Sequence, residues 1–373
     1  MKKKVFLIFG TRPEAIKMYP VYKALKEHHE IATKVIITSQ HQEMLKQVLE
    51  MFKMKADYDL NVMEDRQTLT KITSKVLNGL KELFGKEKPD LVVVHGDTTT
   101  TFSAALAAYY KKIPIGHVEA GLRTYNKYLP YPEEMNRRLA DVLTDLHFAP
   151  TESAKRNLLN EGISESTIFV TGNTVVDAVK EVLALKTVDP LPVKDNEKFI
   201  IATAHRRENW GIPMQNICKA IDYVSKKHKI KFVFSVHKNP LVRETVKKVL
   251  GNNDYVQLME PMDYIDFVHL VSKSLFVLTD SGGIQEEAPT LHKPVLLLRN
   301  VTERPEAVES KIVKIIGTNQ NNIVKNVEKL LNNKKVYSEM SQAKNPFGDG
   351  NAGERIANTI ENFLSKESRD GIF

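Results

Sequence analysis

Short, continuous apolar runs recur along the whole chain. They fall at residues 5–10 (VFLIFG), 34–39, 91–96, 113–118, 146–150 and 168–172, then at 199–204 (FIIATA), 231–236, 256–260, 275–280, 294–299 and 312–317. These runs are rich in Val, Ile, Leu and Phe and do not alternate with polar residues. A half-buried strand shows a period of two, whereas an unbroken apolar run predicts a strand covered on both faces. Between most runs lie amphipathic helical stretches, such as HQEMLKQVLEMF, LTKITSKVLNGLKELF and TFSAALAAYYKK. Strand–helix alternation predicts parallel sheets built from right-handed crossover units. The fold class read from this pattern is α/β, as two sandwiches of similar size.

A length of 373 residues agrees with two domains, because single cores rarely grow past about 250–300 residues. The stretch 183–198 (LALKTVDPLPVKDNEK) is polar, holds two prolines, and reads as a linker. The expected organisation is a domain over 1–182, the linker, a second domain over 199–350, and a terminal segment 351–373. In that segment Gly353 is expected just before the helix GERIANTIENFLSKE. The helix lies beyond the second set of strands, so its pattern alone allows packing on either domain.

The net charge is +8, from 54 Lys and Arg against 46 Asp and Glu. The excess is scattered over helix faces such as VSKKHKIK, with no basic run interleaved with aromatics. No nucleic-acid partner is expected, and a positive field suits a small anionic substrate. The single cysteine, Cys218, sits in a helical pattern and reads as core packing. One cysteine excludes an internal disulfide and fits a reducing compartment. The apolar start meets Arg12, Pro13 and Glu14 too early for a secretory signal. No run reaches the roughly 18 apolar residues of a membrane span. A cytoplasmic protein without a membrane partner is expected.

In open parallel sheets, ligands bind outside the carboxyl ends of the strands. In the first half those ends carry Gly10-Thr11-Arg12, Gln40-His41, His95-Gly96-Asp97 and Glu119. In the second half they carry His205-Arg206-Arg207, His237-Lys238, Asp280-Ser281-Gly282-Gly283 and Arg299. Two such edges facing each other would make a deep interdomain cleft lined by carboxylates, imidazoles and cations.

Within TDSGGIQEEAP (279–289), a strand ends, two glycines follow and a helix begins. The bare amides of Gly282 and Gly283 at a helix N-terminus form an anion site, to which Ser281 can add a hydroxyl. Glu287, about one and a half turns in, would repel phosphate but could accept from ribose hydroxyls. The opening FGTRPEAIKM places Pro13 at the first helical position. It presents Arg12 and Lys17 where a nucleotide fold usually presents glycines; an Arg fork suits a diphosphate, and the segment alone equally allows a capping turn with solvated charges. Asp97 in HGDTTTT, Glu119 in GHVEAG and Glu133 in YPEEMNRR supply three carboxylates. Repulsion and burial should raise at least one of their pKa values, which suits acid–base work. His205, in AHRREN, would join them from the second domain. HExxH and CxxC are absent and no GxGxxG follows an apolar run, so neither metal nor bound NAD is expected.

The ordered motifs FGTRPEAIKM, HGDTTTT, GHVEAGLRT, PEEMNR, HRREN and TDSGGIQEEAP cover essentially the whole chain. Together they resemble the non-hydrolysing UDP-N-acetylglucosamine 2-epimerases. The resemblance implies two Rossmann-like domains around a cleft, the GT-B architecture. It also implies a homodimer whose C-terminal helix crosses back to the first domain. The implied activity interconverts UDP-GlcNAc and UDP-ManNAc, without NAD or metal, for surface polysaccharides. Carried over residue by residue, Asp97, Glu119, Glu133 and His205 match catalytic positions. Arg12 and Lys17 match substrate contacts; Ser281, Gly282, Gly283, Glu287 and Arg304 match the uridine-diphosphate site. Some members bind a second UDP-GlcNAc as activator through contacts that resemble Gln40, His41, Arg66, Arg207 and His237 here. Glu43 stands where some of those members have glutamine, which puts effector affinity in question. The alternatives are a hydrolysing epimerase, a GT-B glycosyltransferase and a non-catalytic UDP-sugar sensor.

Overall fold

The computed structural model describes residues 2–39, 42–64 and 67–370. The chain forms two compact units, Met1–Ala178 with Phe347–Phe373, and Val179–Pro346.

The first unit holds a seven-stranded sheet of β1 (Lys3–Phe9), β2 (Ile31–Ile37), β3 (Tyr58–Asp59), β4 (Leu91–His95), β5 (Ile115–Val118), β6 (Leu146–Ala149) and β7 (Ile168–Val170). Their order is β3-β2-β1-β4-β5-β6-β7, and every pairing is parallel. The second unit holds β8 (Phe199–Ala204), β9 (Lys231–Val236), β10 (Val256–Met259), β11 (Val277–Thr279), β12 (Val295–Leu297) and β13 (Val313–Ile315). Their order is β10-β9-β8-β11-β12-β13, again all parallel. The unbroken apolar runs became strands because helices cover both faces. Val5 to Phe9, Leu91 to Val94 and Val295 to Leu297 are all essentially without solvent contact. The α/β reading therefore holds for both units.

One strand escaped the hydrophobic pattern. Strand β3 has only two residues, Tyr58 and Asp59, at the sheet edge. It is fastened by Leu60 N–H to Ile37 O and by Asp57, whose carboxylate accepts from Val35 N–H at 2.8 Å.

The helix Ala352–Asp370 packs on the helix Arg12–Glu27 of the first unit. Ile356, Ala357, Ile360 and Leu364 make its buried stripe. Gly353 lies inside the first turn of this helix, not before it. A Cβ there would stand 2.7 Å from the Pro20 carbonyl carbon and oxygen. The Gly353 amide donates to Asp177 at 2.9 Å.

Each sheet reverses its winding once, between β1 and β4 and between β8 and β11. At such a reversal the flanking loops leave in opposite directions and open a crevice at the carboxyl edge.

Candidate active site

At the first reversal, Thr11 caps the helix Arg12–Glu27, so Arg12 is its first residue and Pro13 its second, one position later than expected. The reason is Glu14. Its buried carboxylate accepts from Gly10 N–H, Thr11 N–H and Thr11 Oγ1 at 2.8–3.0 Å and fixes the cap at Thr11. It also accepts from Thr98 Oγ1 at 2.7 Å and Thr101 Oγ1 at 3.2 Å. Glu14 thereby ties the turn after β1 to the turn after β4. Burial raises its pKa despite those hydrogen bonds. Arg12 is partly exposed at the helix mouth and makes no ion pair with the described residues. Its cation therefore adds to the positive end of the helix dipole.

Lys17 lies one turn further and is buried. Its Nζ stands 2.5 Å from Glu119 Oε1, across 102 residues of sequence. Asn173 Nδ2 donates to the same oxygen at 3.0 Å. Glu119 adopts a left-handed backbone, φ 69°. That is a costly conformation for a residue with a Cβ, and such strain gathers at functional sites. The turn that follows is held by buried groups. Asp141 accepts from Gly121 N–H at 3.2 Å, pairs with Arg123 at 2.8 Å, and lies 2.6 Å from His117 Nδ1. His117 Nε2 in turn lies 2.7 Å from the Gly96 carbonyl. One buried network thus fastens the Gly96–Asp97 turn and the Glu119–Gly121 turn together.

Asp97 pairs with Arg137, and its carbonyl accepts from Asn136 Nδ2 at 3.0 Å. Both partners sit on the helix Glu133–Leu143, whose first residue is Glu133. Burial raises the Glu133 pKa, the Asp97 charge raises it further, and Arg137 partly offsets this. The adjacent Glu134 is structural: it is fully buried and accepts from Thr124 N–H and Tyr125 N–H at 3.0 Å. His95 completes the set. It is 3% exposed, neither ring nitrogen has a hydrogen-bond partner among the described residues, and Nε2 lies 3.7 Å from Glu119 Oε2. Burial pushes its pKa down to about 4, so the ring is neutral.

At the second reversal the organising group is Asp280, which has no solvent exposure. It accepts from the backbone N–H groups of His205 and Arg206 at 3.0 Å and from Asn209 Nδ2 at 2.9 Å. Ser281 is the N-cap of the helix Gly282–Thr290, but its hydroxyl closes no cap. The first-turn amides therefore stay available to an anion, as helix N-termini allow. Arg206 lies beside them: its Nη2 would be 3.7 Å from a Cβ at Gly282. Glu287 accepts from Tyr264 O–H at 3.3 Å. Arg304 pairs with the buried Glu286, and Arg299 makes a two-pronged pair with Glu303 at 2.7 and 3.0 Å.

The structure brings Asp97, Glu119, Glu133, Arg12 and Lys17 to one sheet edge in the first unit. It gathers His205, Ser281, Gly282 and Gly283 at one edge in the second. Arg207 is exposed on the short 3-10 helix Arg207–Asn209 after β8 and His237 on the loop after β9, with the His237 and His205 rings 6.3 Å apart. Gln40, His41 and Arg66 lie outside the described residues. Among the described residues, no group of His, Cys, Asp or Glu could hold a metal ion, and no helix is long and apolar enough to cross a membrane. Sequence reasoning missed Asn173, Arg137 and the ordering roles of Glu14, Asp141 and Asp280. Only Asp280 carried a signal, as the polar residue closing an apolar run.

A family profile described as UDP-N-acetylglucosamine 2-epimerase matches residues 23–361. The UDP-N-acetylglucosamine 2-epimerase of Bacillus subtilis is 53% identical over 363 residues, covering 96% of each chain. The crystal structure of UDP-GlcNAc 2-epimerase from Neisseria meningitidis bound to UDP-GlcNAc superposes with a TM-score of 0.89 at 50% identity, over 96% of this chain and 100% of that one. The enzyme from Methanocaldococcus jannaschii, in complex with UDP-GlcNAc and UDP, superposes with a TM-score of 0.80 at 37% identity, over 96% and 99%.

Proposed function

This chain belongs to the UDP-N-acetylglucosamine 2-epimerase family, and from that premise we propose that it interconverts UDP-GlcNAc and UDP-ManNAc by losing and regaining UDP. It is an isomerase of the nucleotide-sugar class. The observation that carries the mechanism is the unequal treatment of its carboxylates. Glu119 is fastened to Lys17 and Asn173, while Glu133 is left with a raised pKa. Environments that push neighbouring acids apart mark acid–base assignments.

The chemistry explains why such a set is needed. The hydrogen on C2 of the sugar is not next to a carbonyl, so its removal alone gives no stabilised anion. Elimination solves this. A base takes the C2 proton, the C1–oxygen bond breaks with its electrons leaving on UDP, and a C1–C2 double bond forms. A proton then returns to the other face of C2 and UDP re-adds at C1. Atoms and electrons balance without an outside oxidant. We assign the diphosphate to Arg12 and to the Ser281, Gly282 and Gly283 turn, whose cations and amides stabilise the leaving group. Glu287 and Arg304 belong to the same nucleotide site. Asp97, Glu119 and Glu133 share the proton-transfer and cation-stabilising roles, with His205 as a further proton-handling group. Arg207 and His237 are assigned to a second, activating UDP-sugar, and the working form is assigned as a homodimer.

Proton NMR of the purified chain with UDP-GlcNAc in D2O tests this reading. UDP-ManNAc carrying deuterium at C2 is the expected product. Free ManNAc with UDP would mean a hydrolysing enzyme, and binding without turnover would move the transferase or sensor forward.

A further inference from the structure

We propose that Asp280 is the positioning residue of His205, holding its imidazole as the Nδ1–H tautomer so that Nε2 is presented as a proton acceptor. The role in catalysis rests on the epimerase reading above; the tautomer does not.

The argument starts from what surrounds Asp280. Its carboxylate has no solvent contact, and each of its hydrogen-bonding neighbours is a donor: His205 N–H, Arg206 N–H and Asn209 Nδ2. Burial pushes its pKa up, but the contacts with His205, Arg206 and Asn209 outweigh this and hold it below the ordinary aspartate value. It is therefore an ionised, acceptor-only group. His205 Nδ1 stands 3.0 Å from Asp280 Oδ1. An unprotonated Nδ1 at that distance would set a second electron-rich atom against the carboxylate oxygen, which favours the hydrogen on Nδ1. The backbone fixes this approach, because His205 N–H binds the same carboxylate at 3.0 and 3.1 Å.

The other nitrogen follows from the first. In a neutral ring with Nδ1–H, Nε2 holds the lone pair. The His205 side chain is 43% exposed, and Nε2 makes no hydrogen bond with the described residues. A lone pair cannot donate to a phosphate oxygen. The tautomer thus removes His205 in its neutral form from the diphosphate contacts and assigns it to taking up a proton. A buried aspartate fixing a histidine tautomer is the logic of hydrolase triads, reached here on a different fold.

The test uses the full chain labelled with nitrogen-15 histidine. A two-bond proton–nitrogen spectrum distinguishes the tautomers, with the His205 signals identified by their loss in His205→Asn. A protonated Nδ1 beside an unprotonated Nε2 supports the proposal; an Nε2–H tautomer overturns it, whether or not the chain epimerises. In Asp280→Asn, kcat for UDP-GlcNAc should fall about 100-fold to 10,000-fold with KM changed less than threefold, by the wrong-tautomer effect. An unchanged kcat in a folded variant would overturn the positioning role. Should Asp280→Asn fail to fold, the spectrum of the unmodified chain decides.

Discussion

Gly353→Ala sets two known effects against each other at one position. Replacing a helical glycine by alanine ordinarily stabilises by about 0.5–1 kcal/mol, because less backbone freedom is lost on folding. Here the new Cβ would stand 2.7 Å from the Pro20 carbonyl carbon and oxygen and 3.0 Å from Pro20 Cβ. Ordinary contact begins near 3.4 Å, so the helix Ala352–Asp370 must retreat by several tenths of an ångström. The opposing atoms are backbone and a ring, which cannot turn aside. The retreat also stretches the 2.9 Å bond from Gly353 N–H to Asp177 and loosens Ile356, Ala357 and Ile360. Overpacking of this kind costs about 1–3 kcal/mol. The contact term wins, and net destabilisation should be about 1–2 kcal/mol. Gly85 supplies the control, since it lies in the helix Leu69–Glu87 of the same unit and a Cβ there meets nothing within 4 Å. Gly85→Ala should stabilise by about 0.4–1 kcal/mol. Thermal melting by circular dichroism should show the two variants shifting in opposite directions, by about 2–4 °C per kcal/mol. A melting point for Gly353→Ala at or above that of the unmodified chain would refute the close-packing argument.

Glu133→Gln should lower kcat about 100-fold to 10,000-fold with a smaller change in KM, as expected for a lost acid–base group; the NMR assay above measures it. Arg12→Ala should weaken UDP binding about 10-fold to 100-fold, from one lost charge-assisted contact, and isothermal titration at fixed salt checks it. Stability should also fall as pH drops from 6.5 towards 4, because there the unfolded chain takes up a proton at His95 that the folded chain, with its pKa near 4, refuses. The loss at this site reaches about 3 kcal/mol. Urea unfolding at several pH values should therefore show a steeper acid loss for the unmodified chain than for His95→Gln, and parallel curves would count against it.

What the sequence determined by itself was the local layer of this protein. Each expected apolar run lies on a strand of one of the two sheets, because a segment covered on both faces cannot tolerate polar residues at any position. Cys218 is buried in a helix, with its thiol pushed up to about 12, as an unbroken apolar helix face implies. The polar residues at the strand ends were visible for a similar reason. In a parallel sheet the carboxyl edge is where the chain emerges from the core.

The tertiary structure decided which of those polar groups face one another. Nothing local in FGTRPEAIKM separates Glu14, buried as a clamp between two turns, from Lys17, which reaches Glu119 across 102 residues. Glu133 and Glu134 are neighbours in sequence, yet one keeps a raised pKa and the other anchors two loop amides. Helix rotation separates adjacent residues by about 100°, so their environments are set by whatever packs on each side. The edge strand β3, the approach of Gly353 to Pro20, and the pairing of Asp280 with His205 share one cause. Each depends on segments distant in the chain and adjacent in space, and a one-dimensional pattern carries periodicity but not proximity.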